Sequence, residues 1–398
     1  MNLEKRYIFI LLSLISFILI AILILMFNAS WHTASIQKAE IVFYLPEYKG
    51  KATMTYQPWL KNLQEYYEQA EYITGAYEDK DIFWKIDLEY DDGIEKVLVA
   101  TRQMEIYDLS KLAWIANEKI PEVMVGLVKP LEESFFGETI DWNKVDQLFP
   151  RKTQAQVRDV ETGQIFNIFR YGGTNHVDVE PLTEADTQIL KGIYGEWGWK
   201  RRAVIVTVGG KQIAASMNGM PHGNGQIAEN KFNGHFCIHF TNSRVHKTGR
   251  VDEGHQLMIS KSAGNLLSKL DNASPVEKIG AFLIAVANNE LMTVRHLTNN
   301  IYSEDIWNRL KSEIRFISLG EINEITTTDN NIQVRVQATV YFFTPNRDIG
   351  YDKELIFNLN EDIRGDYLVN FSDVVPLLAR NSDEEKEAIA LDKFFCDE

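Results

Sequence analysis

The stretch G-H-F-C-I-H-F, residues 234–240, decides how the middle of this chain is interpreted. Its side chains alternate between apolar and polar with a period of two, which is the side-chain period of a β-strand. The apolar set, predicted to be buried, is Phe236, Ile238 and Phe240. The polar set, predicted to lie along an opposite and exposed face, is His235, Cys237 and His239. A thiol between two imidazoles indicates a nucleophile or a metal site, unless the spacing is accidental.

The composition predicts a globular, multidomain protein. Of 398 residues, 45% are hydrophobic and 24% are charged, which is enough for two or three domains with a sizeable core. The formal charge of −15 argues against a nucleic-acid partner, because a polyanion would be repelled.

The N-terminus predicts a membrane anchor. Residues 7–27 form an uncharged, apolar run of 21 residues. As a helix this run would be about 31 Å long, which matches a bilayer core. Lys5 and Arg6 precede it and no Lys or Arg follows before Lys38, so we expect a single-pass protein with a cytoplasmic N-terminus and its bulk outside the cytoplasm. The alternative is a long cleavable signal.

The second cysteine does not change this interpretation. Cys396 lies in the terminal run F-F-C-D-E, and a chain end is a poor partner for an internal strand. We therefore do not expect a disulfide between Cys396 and Cys237.

Changes in composition and in the pattern of apolar residues along the chain predict an α+β multidomain fold with an N-terminal transmembrane helix. The predicted units are the anchor (1–28), an α+β domain of unknown role (29–150), a mostly-β domain (151–272), helices followed by an antiparallel sheet (273–380) and an acidic tail (381–398). Residues 253–270 and 275–297 are each predicted as a helical segment. The order of helices and strands after residue 273 resembles the NTF2-like and cystatin-like folds.

Two local signals in the mostly-β domain are specific. Gly209-Gly210 joins two apolar runs and indicates a hairpin, because this pair tolerates positive φ. Thr183, three residues before Asp186, indicates the start of a helix.

Histidines concentrate in the same domain and supply candidate bases for the thiol. Six of the eight histidines lie between residues 176 and 255, namely His176, His222, His235, His239, His246 and His255. Same-face neighbours on a strand are about 6.5–7 Å apart, so His235 and His239 touch the thiol only loosely. His222 lies 15 residues before Cys237 across a glycine-rich loop and can fold back onto the thiol as its base. The backbone N–H groups of Phe236 and Cys237 are the predicted oxyanion hole.

These residues resemble the signature of the L,D-transpeptidase (YkuD-type) family. In that signature an upstream histidine precedes Ser/Thr-His-Gly-Cys, with Arg or Asn two residues after the cysteine. His222 matches the upstream base, His235 the second histidine and Cys237 the nucleophile. The resemblance covers residues 153–270, less than a third of the chain. The chain departs from the pattern at Gly234, Phe236 and His239, where Ser/Thr, Gly and Arg/Asn are usual.

The resemblance implies cysteine acyl transfer on the stem peptides of bacterial peptidoglycan, without a cofactor. His222 would take the thiol proton, and Cys237 would attack the carbonyl on the L-side of an L–D peptide bond, releasing D-alanine. An amine or water would then resolve the thioester, with His235 orienting or polarising the groups. The expected substrate-binding residues are Gly223, His239 and Arg244.

Two rival hypotheses remain open. A zinc-dependent cell-wall hydrolase would use His222, His235, Cys237 and His239 as ligands, joined by His246 or His255, with residues 175–180 as a second shell. A catalytically inactive wall-binding or assembly protein is the other, because Phe236 narrows the approach of a substrate to the backbone.

Four further features have alternative interpretations. Trp197 and Trp199 form a stacking ledge or pack in a core. Residues 200–202 are a compact basic run that contacts an acidic ligand or lies along a solvated strand edge. Arg170 and Arg244 are candidates for the carboxylate-binding role of the missing arginine.

Overall fold

A computed structural model describes residues 34–45, 48, 50–77, 82–245, 249–328, 331–343, 349–362, 365–380 and 385–386. The predicted anchor at 7–27, His246 and Cys396 lie outside these residues. Within the described ranges, no helix is long and apolar enough to cross a bilayer. The described chain is mixed α+β, as predicted, with two open sheets and a closed barrel between them in sequence.

The first sheet has seven strands in the order β2-β1-β4-β5-β6-β7-β3. Its strands are β1 (Ile36–Phe43), β2 (Lys51–Met54), β3 (Glu71–Thr74), β4 (Ile82–Tyr90), β5 (Glu95–Thr101), β6 (Ile106–Asp108) and β7 (Ala113–Ala116). The helices of this part are α1 (Gln57–Glu68), α2 (Lys119–Phe135) and α3 (Trp142–Leu148). Helix α1 buries Leu60, Leu63 and Tyr67, which lie on one face of the helix.

The barrel contains six strands in the order β10-β13-β12-β11-β8-β9. They are β8 (Gln154–Asp159), β9 (Ile165–Gly172), β10 (Val177–Pro181), β11 (Arg202–Val208), β12 (Lys211–Met217) and β13 (Phe236–His239). Helix α4 (Glu184–Tyr194) begins after Thr183, whose side chain accepts from the backbone N–H of Asp186 as predicted. Gly209 and Gly210 have φ values of 57° and 78°, so the predicted hairpin is confirmed.

The two faces of the barrel strands are buried differently. Alternate residues fill the barrel interior with apolar side chains, including Val204, Val206, Ile213, Met217, Phe236 and Ile238. The outer face of β11 and β12 packs against helix α5 (Glu253–Ser262), so that Ile205 belongs to the same apolar cluster as Met258. The strands are therefore buried on both faces, which is unusual for an antiparallel sheet. This burial also determines the environment of the thiol on β13.

The C-terminal part places helices before a long antiparallel sheet. Its helices are α6 (Leu266–Asp271), α7 (Pro275–Asn288), α8 (Leu291–Leu297) and α9 (Glu304–Glu313). Its strands are β14 (Ile314–Thr328), β15 (Asn331–Phe342), β16 (Ile349–Glu361), β17 (Tyr367–Val369) and β18 (Glu385–Lys386), with the 3₁₀ segment Phe371–Leu378 between the last two. Strands β14 to β17 pair in sequence order, and β18 pairs with β16.

Each of the two long helical segments predicted here is broken into two helices. Gly264 has a φ of 71° and separates α5 from α6. Asn289 has a φ of 59° and ends α7, after which Glu290 caps α8 by accepting from the N–H groups of Met292 and Thr293. Both residues adopt the left-handed conformation that commonly ends a helix.

A buried cation joins the barrel to the helices. Lys261 on α5 is 0% exposed, and its Nζ lies 2.6 Å from Glu161 Oε1 and 2.9 Å from Glu290 Oε1. Burial opposes ionisation, but Lys261 and Arg202 together lower the pKa of Glu161 to about 2. The pairing fixes α5 against the outer face of the barrel, where it meets the candidate site.

Candidate active site

The face of β13 that carries the thiol is buried, and the expectation of an exposed face was wrong. Cys237 is 0% exposed and His239 is 1% exposed. Helix α5 lies across this face, where the ring of His255 stacks on that of His239 with centroids 3.8 Å apart. His222 covers the thiol from the loop that precedes β13. Periodicity identified the two faces of the strand but not the element that packs on the second one.

Two imidazoles contact the thiol of Cys237. His176 Nε2 lies 3.2 Å from Sγ, and His222 Nε2 lies 3.4 Å from it. The Nδ1 atom of each ring lies 2.8 Å from a backbone carbonyl oxygen, that of Arg244 for His176 and that of Met220 for His222. Because a carbonyl can only accept, the Nδ1 of each ring carries a proton, and the Nε2 of each ring is the atom that faces the thiol. In the neutral form of either ring this Nε2 can accept the proton of the thiol.

Strand β10 brings His176 and a carboxylate to the thiol. Its antiparallel register with β13 sets Asp178 opposite Cys237, and His176 immediately precedes β10. Asp178 Oδ1 lies 3.2 Å from His176 Nε2. A nearby carboxylate stabilises a protonated imidazole, so this geometry favours an imidazolium–thiolate pair at His176 and Cys237.

A close backbone approach orients His222. His222 and His235 form an isolated antiparallel bridge, with N–H···O distances of 3.0 and 2.9 Å. Gly234 permits this bridge, because it has a φ of 112° and a Cβ there would lie 2.3 Å from the oxygen of His222. A side chain at residue 234 would therefore be strained and would collide with the backbone of His222.

His235 packs beside His222 and makes its hydrogen bond within the loop. Its ring packs on that of His222 with centroids 4.4 Å apart, and its Nδ1 lies 2.8 Å from the oxygen of Asn224. The tilted ring of Tyr171 lies 5.5 Å away on centroids. His235 therefore contacts His222, which in turn contacts the thiol, and the orienting role predicted for His235 stays a prediction.

His239 lies in a column of stacked imidazoles and not at an open binding surface. Its ring centroid is 4.2 Å from that of His176 and 3.8 Å from that of His255. Its Nδ1 lies 3.0 Å from Ser243 Oγ, and Nδ1 of His255 lies 2.9 Å from Ser216 Oγ. Burial is the main cause that lowers the pKa values of His239 and His255 well below their usual value. Both rings are neutral at neutral pH, so His239 does not provide the cation predicted to bind a carboxylate.

The backbone donors predicted to form an oxyanion hole point to opposite edges of β13. The carbonyl of Cys237 accepts from the N–H of Asn218 at 3.3 Å, and the N–H and C=O of one strand residue share an edge. The N–H of Cys237 therefore faces the segment after β12. Phe236 pairs with Val179, so its N–H faces β10. The two donors do not converge on one oxygen atom.

The other arginines considered for substrate binding are engaged elsewhere. Arg244 donates from Nη1 to the oxygen of Gly249 at 2.7 Å, so its side chain closes a surface turn while its carbonyl serves His176. Arg170 is buried and its Nη2 lies 2.6 Å from Asp146 Oδ1. Gly223 is exposed, with a φ of 57°, in the loop after His222.

The segment N-H-V-D-V-E, residues 175–180, organises both loops around the thiol. Glu180 is 0% exposed and accepts from the N–H groups of Gln226 at 2.6 Å and Ile227 at 3.0 Å. The oxygen of Asn175 accepts from the N–H of Arg244 at 2.9 Å. The sequence had indicated these residues only as a second shell for zinc, and the direct contact of His176 with the thiol was missed.

The cluster also has the composition of a metal site. Ligand atoms of His176, Cys237 and His239 lie within 4.8 Å of one another, and all three residues are buried. This set shares Cys237 and His239 with the predicted zinc ligands and replaces His235 by His176. The rings of His176 and His239 are stacked with an interplanar angle of 27°. Tetrahedral coordination of zinc would need the lone pairs of both rings to converge on one point beside the thiol.

Comparisons with known proteins give little beyond this geometry. No protein-family model matches the chain, and no curated protein matches it. Among solved structures, the helical cell shape determining protein Pgp2 from Campylobacter jejuni is 11% identical and covers 78% of this chain and 96% of its own, with a TM-score of 0.13. A mutant of the same protein is 13% identical over 78% of this chain and 95% of its own, also with a TM-score of 0.13. Similarity at this level carries no argument about fold or function.

Proposed function

We propose that this chain is a cysteine acyltransferase or peptidase that acts on the stem peptides of bacterial peptidoglycan, with Cys237 as its nucleophile. The observation that carries the proposal is the contact of one buried thiol with the Nε2 atoms of two imidazoles, at 3.2 and 3.4 Å. A thiol needs such a base to become a thiolate near neutral pH. The apolar segment 7–27 would tether the protein on the side of the membrane where this polymer is found.

The two histidines have different tasks in the proposed reaction. The proton of Cys237 passes to His176, whose imidazolium is stabilised by Asp178. The thiolate sulfur attacks the amide carbon, and the resulting tetrahedral intermediate collapses as the C–N bond breaks. His222 is the more exposed of the two rings and exchanges protons on the solvent side. The leaving amine takes the proton that His176 holds. In the second half of the reaction the neutral ring of His222 takes a proton from the attacking amine or water and returns it to the sulfur as the C–S bond breaks.

Resolution of the thioester completes the cycle. A second amine or water attacks the thioester carbon, the C–S bond breaks, and the thiolate returns to its pair with His176. Because Cys237 is 0% exposed, the loop that carries His222 must move for a substrate carbonyl to reach Sγ. Gly223, which follows His222 directly, has a φ of 57° and allows a hinge at this point.

Release of D-alanine tests the proposal directly. The full-length chain is incubated with a synthetic stem tetrapeptide that ends in D-alanine, and both free D-alanine and the thioester mass on the peptide with Cys237 are measured. We expect Cys237→Ser to abolish release, and His176→Asn and His222→Asn to slow it about 100-fold or more, the usual contribution of a general base. His296→Asn on α8 is the matched control and should have no effect. Release that persists in Cys237→Ser would refute the proposal.

A zinc hydrolase is the second candidate, favoured by the compact set of His176, Cys237 and His239. Zinc would supply a bound hydroxide as the nucleophile, and the thiol would be its ligand. Native mass spectrometry of the full-length chain, purified without added metal, separates the two functions. One equivalent of zinc that is lost in Cys237→Ser supports the hydrolase, and a metal-free chain that forms a thioester supports the acyltransferase.

A further inference from the structure

A cavity lined with aromatic and cationic side chains lies beside the thiol site. It has a volume of about 530 Å³ and is formed by residues 194–201, 287–289, 315–316 and 343. We call it the Trp199 cavity. Its walls come from the barrel, from the end of α7 and from the ends of β14 and β15, so it lies between two structural units, where ligand sites commonly occur.

One residue of this cavity touches the catalytic histidine. The ring of Trp199 lies 5.0 Å from that of His222 on centroids, and it is buried with Tyr341 of β15. Met220, whose carbonyl fixes the tautomer of His222, packs in the same small cluster. The Trp199 cavity and the thiol site therefore share a wall, with a single histidine between them.

The cations of the cavity converge on one aromatic ring. Lys200 Nζ and Arg315 Cζ each lie 6.0 Å from the ring centroid of Phe343. Burial, helped by the charge of Lys311, lowers the pKa of Lys200 to about 8. Within the described part of the chain no carboxylate is paired with Lys200, while Glu196 contributes an exposed carboxylate to the lining. A poorly solvated ammonium group of this kind gains most when an anion binds.

We propose that the Trp199 cavity binds the free carboxylate of the peptide whose amide Cys237 attacks, with Lys200 and Arg315 as its cations and Trp199 against the peptide. This inference rests on the proposed function. The cavity provides the carboxylate-binding group that His239 does not provide, because His239 is buried and neutral.

The role of Arg201 in the same basic run is different. Its Nη2 lies 2.6 Å from Asp252 Oδ2, the N-cap carboxylate of α5. Its charge is thereby compensated. Its backbone N–H donates to Oδ1 of Asn288 in the cavity wall at 2.8 Å. Substitution of Arg201 would disturb α5, so it is unsuitable for testing the cavity.

The test measures binding apart from chemistry. Isothermal titration calorimetry on the full-length chain compares the stem tetrapeptide with its C-terminal amide and with inorganic phosphate. We expect the amide to bind about 10-fold to 100-fold more weakly than the acid, the usual effect of losing a charged hydrogen bond. Lys200→Met and Arg315→Met should each weaken the binding of the peptide acid by a similar factor and leave the affinity for the peptide amide unchanged. Lys144→Met, an exposed lysine on α3, is the charge-matched control and should bind both normally.

The outcomes distinguish the cavity from the catalytic proposal. Equal affinity for acid and amide, or unchanged affinity in both cavity variants, would overturn the inference even if D-alanine is released. Phosphate bound as tightly as the acid, with the same dependence on Lys200, would also overturn it, because the cavity would then select any anion. Alkylation of Cys237 by iodoacetamide is measured in the same variants and should not change, which shows that their thiol site is intact.

Discussion

The column of buried imidazoles predicts a loss of stability in mild acid. His239 and His255 are neutral in the folded protein because burial lowers their pKa values, while in the unfolded chain each has a pKa near 6.5. The unfolded state therefore binds more protons below about pH 6.5, and folding stability falls as the pH decreases. Between pH 7.5 and 5 the loss is about 2 kcal/mol for each histidine, or about 4 kcal/mol for the pair.

Thermal unfolding followed by tryptophan fluorescence measures this loss. For a domain of 150–250 residues, 4 kcal/mol corresponds to a decrease in Tm of roughly 8–16 °C. His255→Gln keeps a polar group near Ser216 Oγ and removes one titrating ring, so it should halve the acid-dependent decrease. The double variant with His239→Gln should remove most of it, and His296→Gln, outside the column, should leave it in place. An equally steep decrease in the double variant would refute the reasoning.

Three further predictions concern the structure around the site. Gly234→Ala should lower the free energy of unfolding by about 1–3 kcal/mol from its positive φ alone. It should also slow alkylation of Cys237 by displacing His222, and an unchanged rate would contradict the role of the bridge. Glu180→Gln should weaken its two bonds to the loop and increase amide hydrogen exchange at residues 226 and 227, whereas unaltered exchange would show that the carboxylate is dispensable. Lys261→Met should destabilise the fold by about 3–5 kcal/mol, because the buried carboxylate of Glu290 loses its cation while the partly exposed Glu161 keeps Arg202; a change in the free energy of unfolding below 1 kcal/mol would disprove this.

The local features of the fold could be predicted from sequence because they depend on neighbouring residues. The Gly209-Gly210 hairpin needs two positive φ values, and the Thr183 cap needs a hydroxyl three residues before an N–H. The alternation in residues 234–240 correctly identified the side chains that fill the barrel. In each case the chemistry is complete within a few residues of sequence.

The environment of the thiol could not be predicted in the same way, because it depends on pairing over long distances. His176 reaches Cys237 across a separation of 61 residues, through the register between β10 and β13. His255 arrives on α5, which packs across a strand face that periodicity alone assigns to solvent. The one partner found from sequence, His222, lies 15 residues from the thiol, and a glycine-rich loop connects them.

The nature of Gly234 shows how the structure changes the interpretation of a departure from a family pattern. In the sequence it is one of three departures from the L,D-transpeptidase signature, in which Ser or Thr is usual at this position. In the structure a side chain at this position would lie against the oxygen of His222, at 2.3 Å from its Cβ. The glycine is therefore a requirement of the His222–His235 bridge in this chain.

The reactivity of Cys237 as a function of pH tests the central claim most directly. The full-length chain is treated with iodoacetamide between pH 5.5 and 9, and the adduct on the peptide with Cys237 is compared with that on Cys396 in the same sample. The account predicts a rate at Cys237 that is already near its maximum at pH 7, well below the usual thiol pKa of about 8.5. It also predicts a decrease of at least about tenfold at pH 7 in His176→Asn and in His222→Asn. A rate that rises only above pH 8, in parallel with Cys396 and unchanged in both variants, would show that the thiol is not activated and would contradict the account.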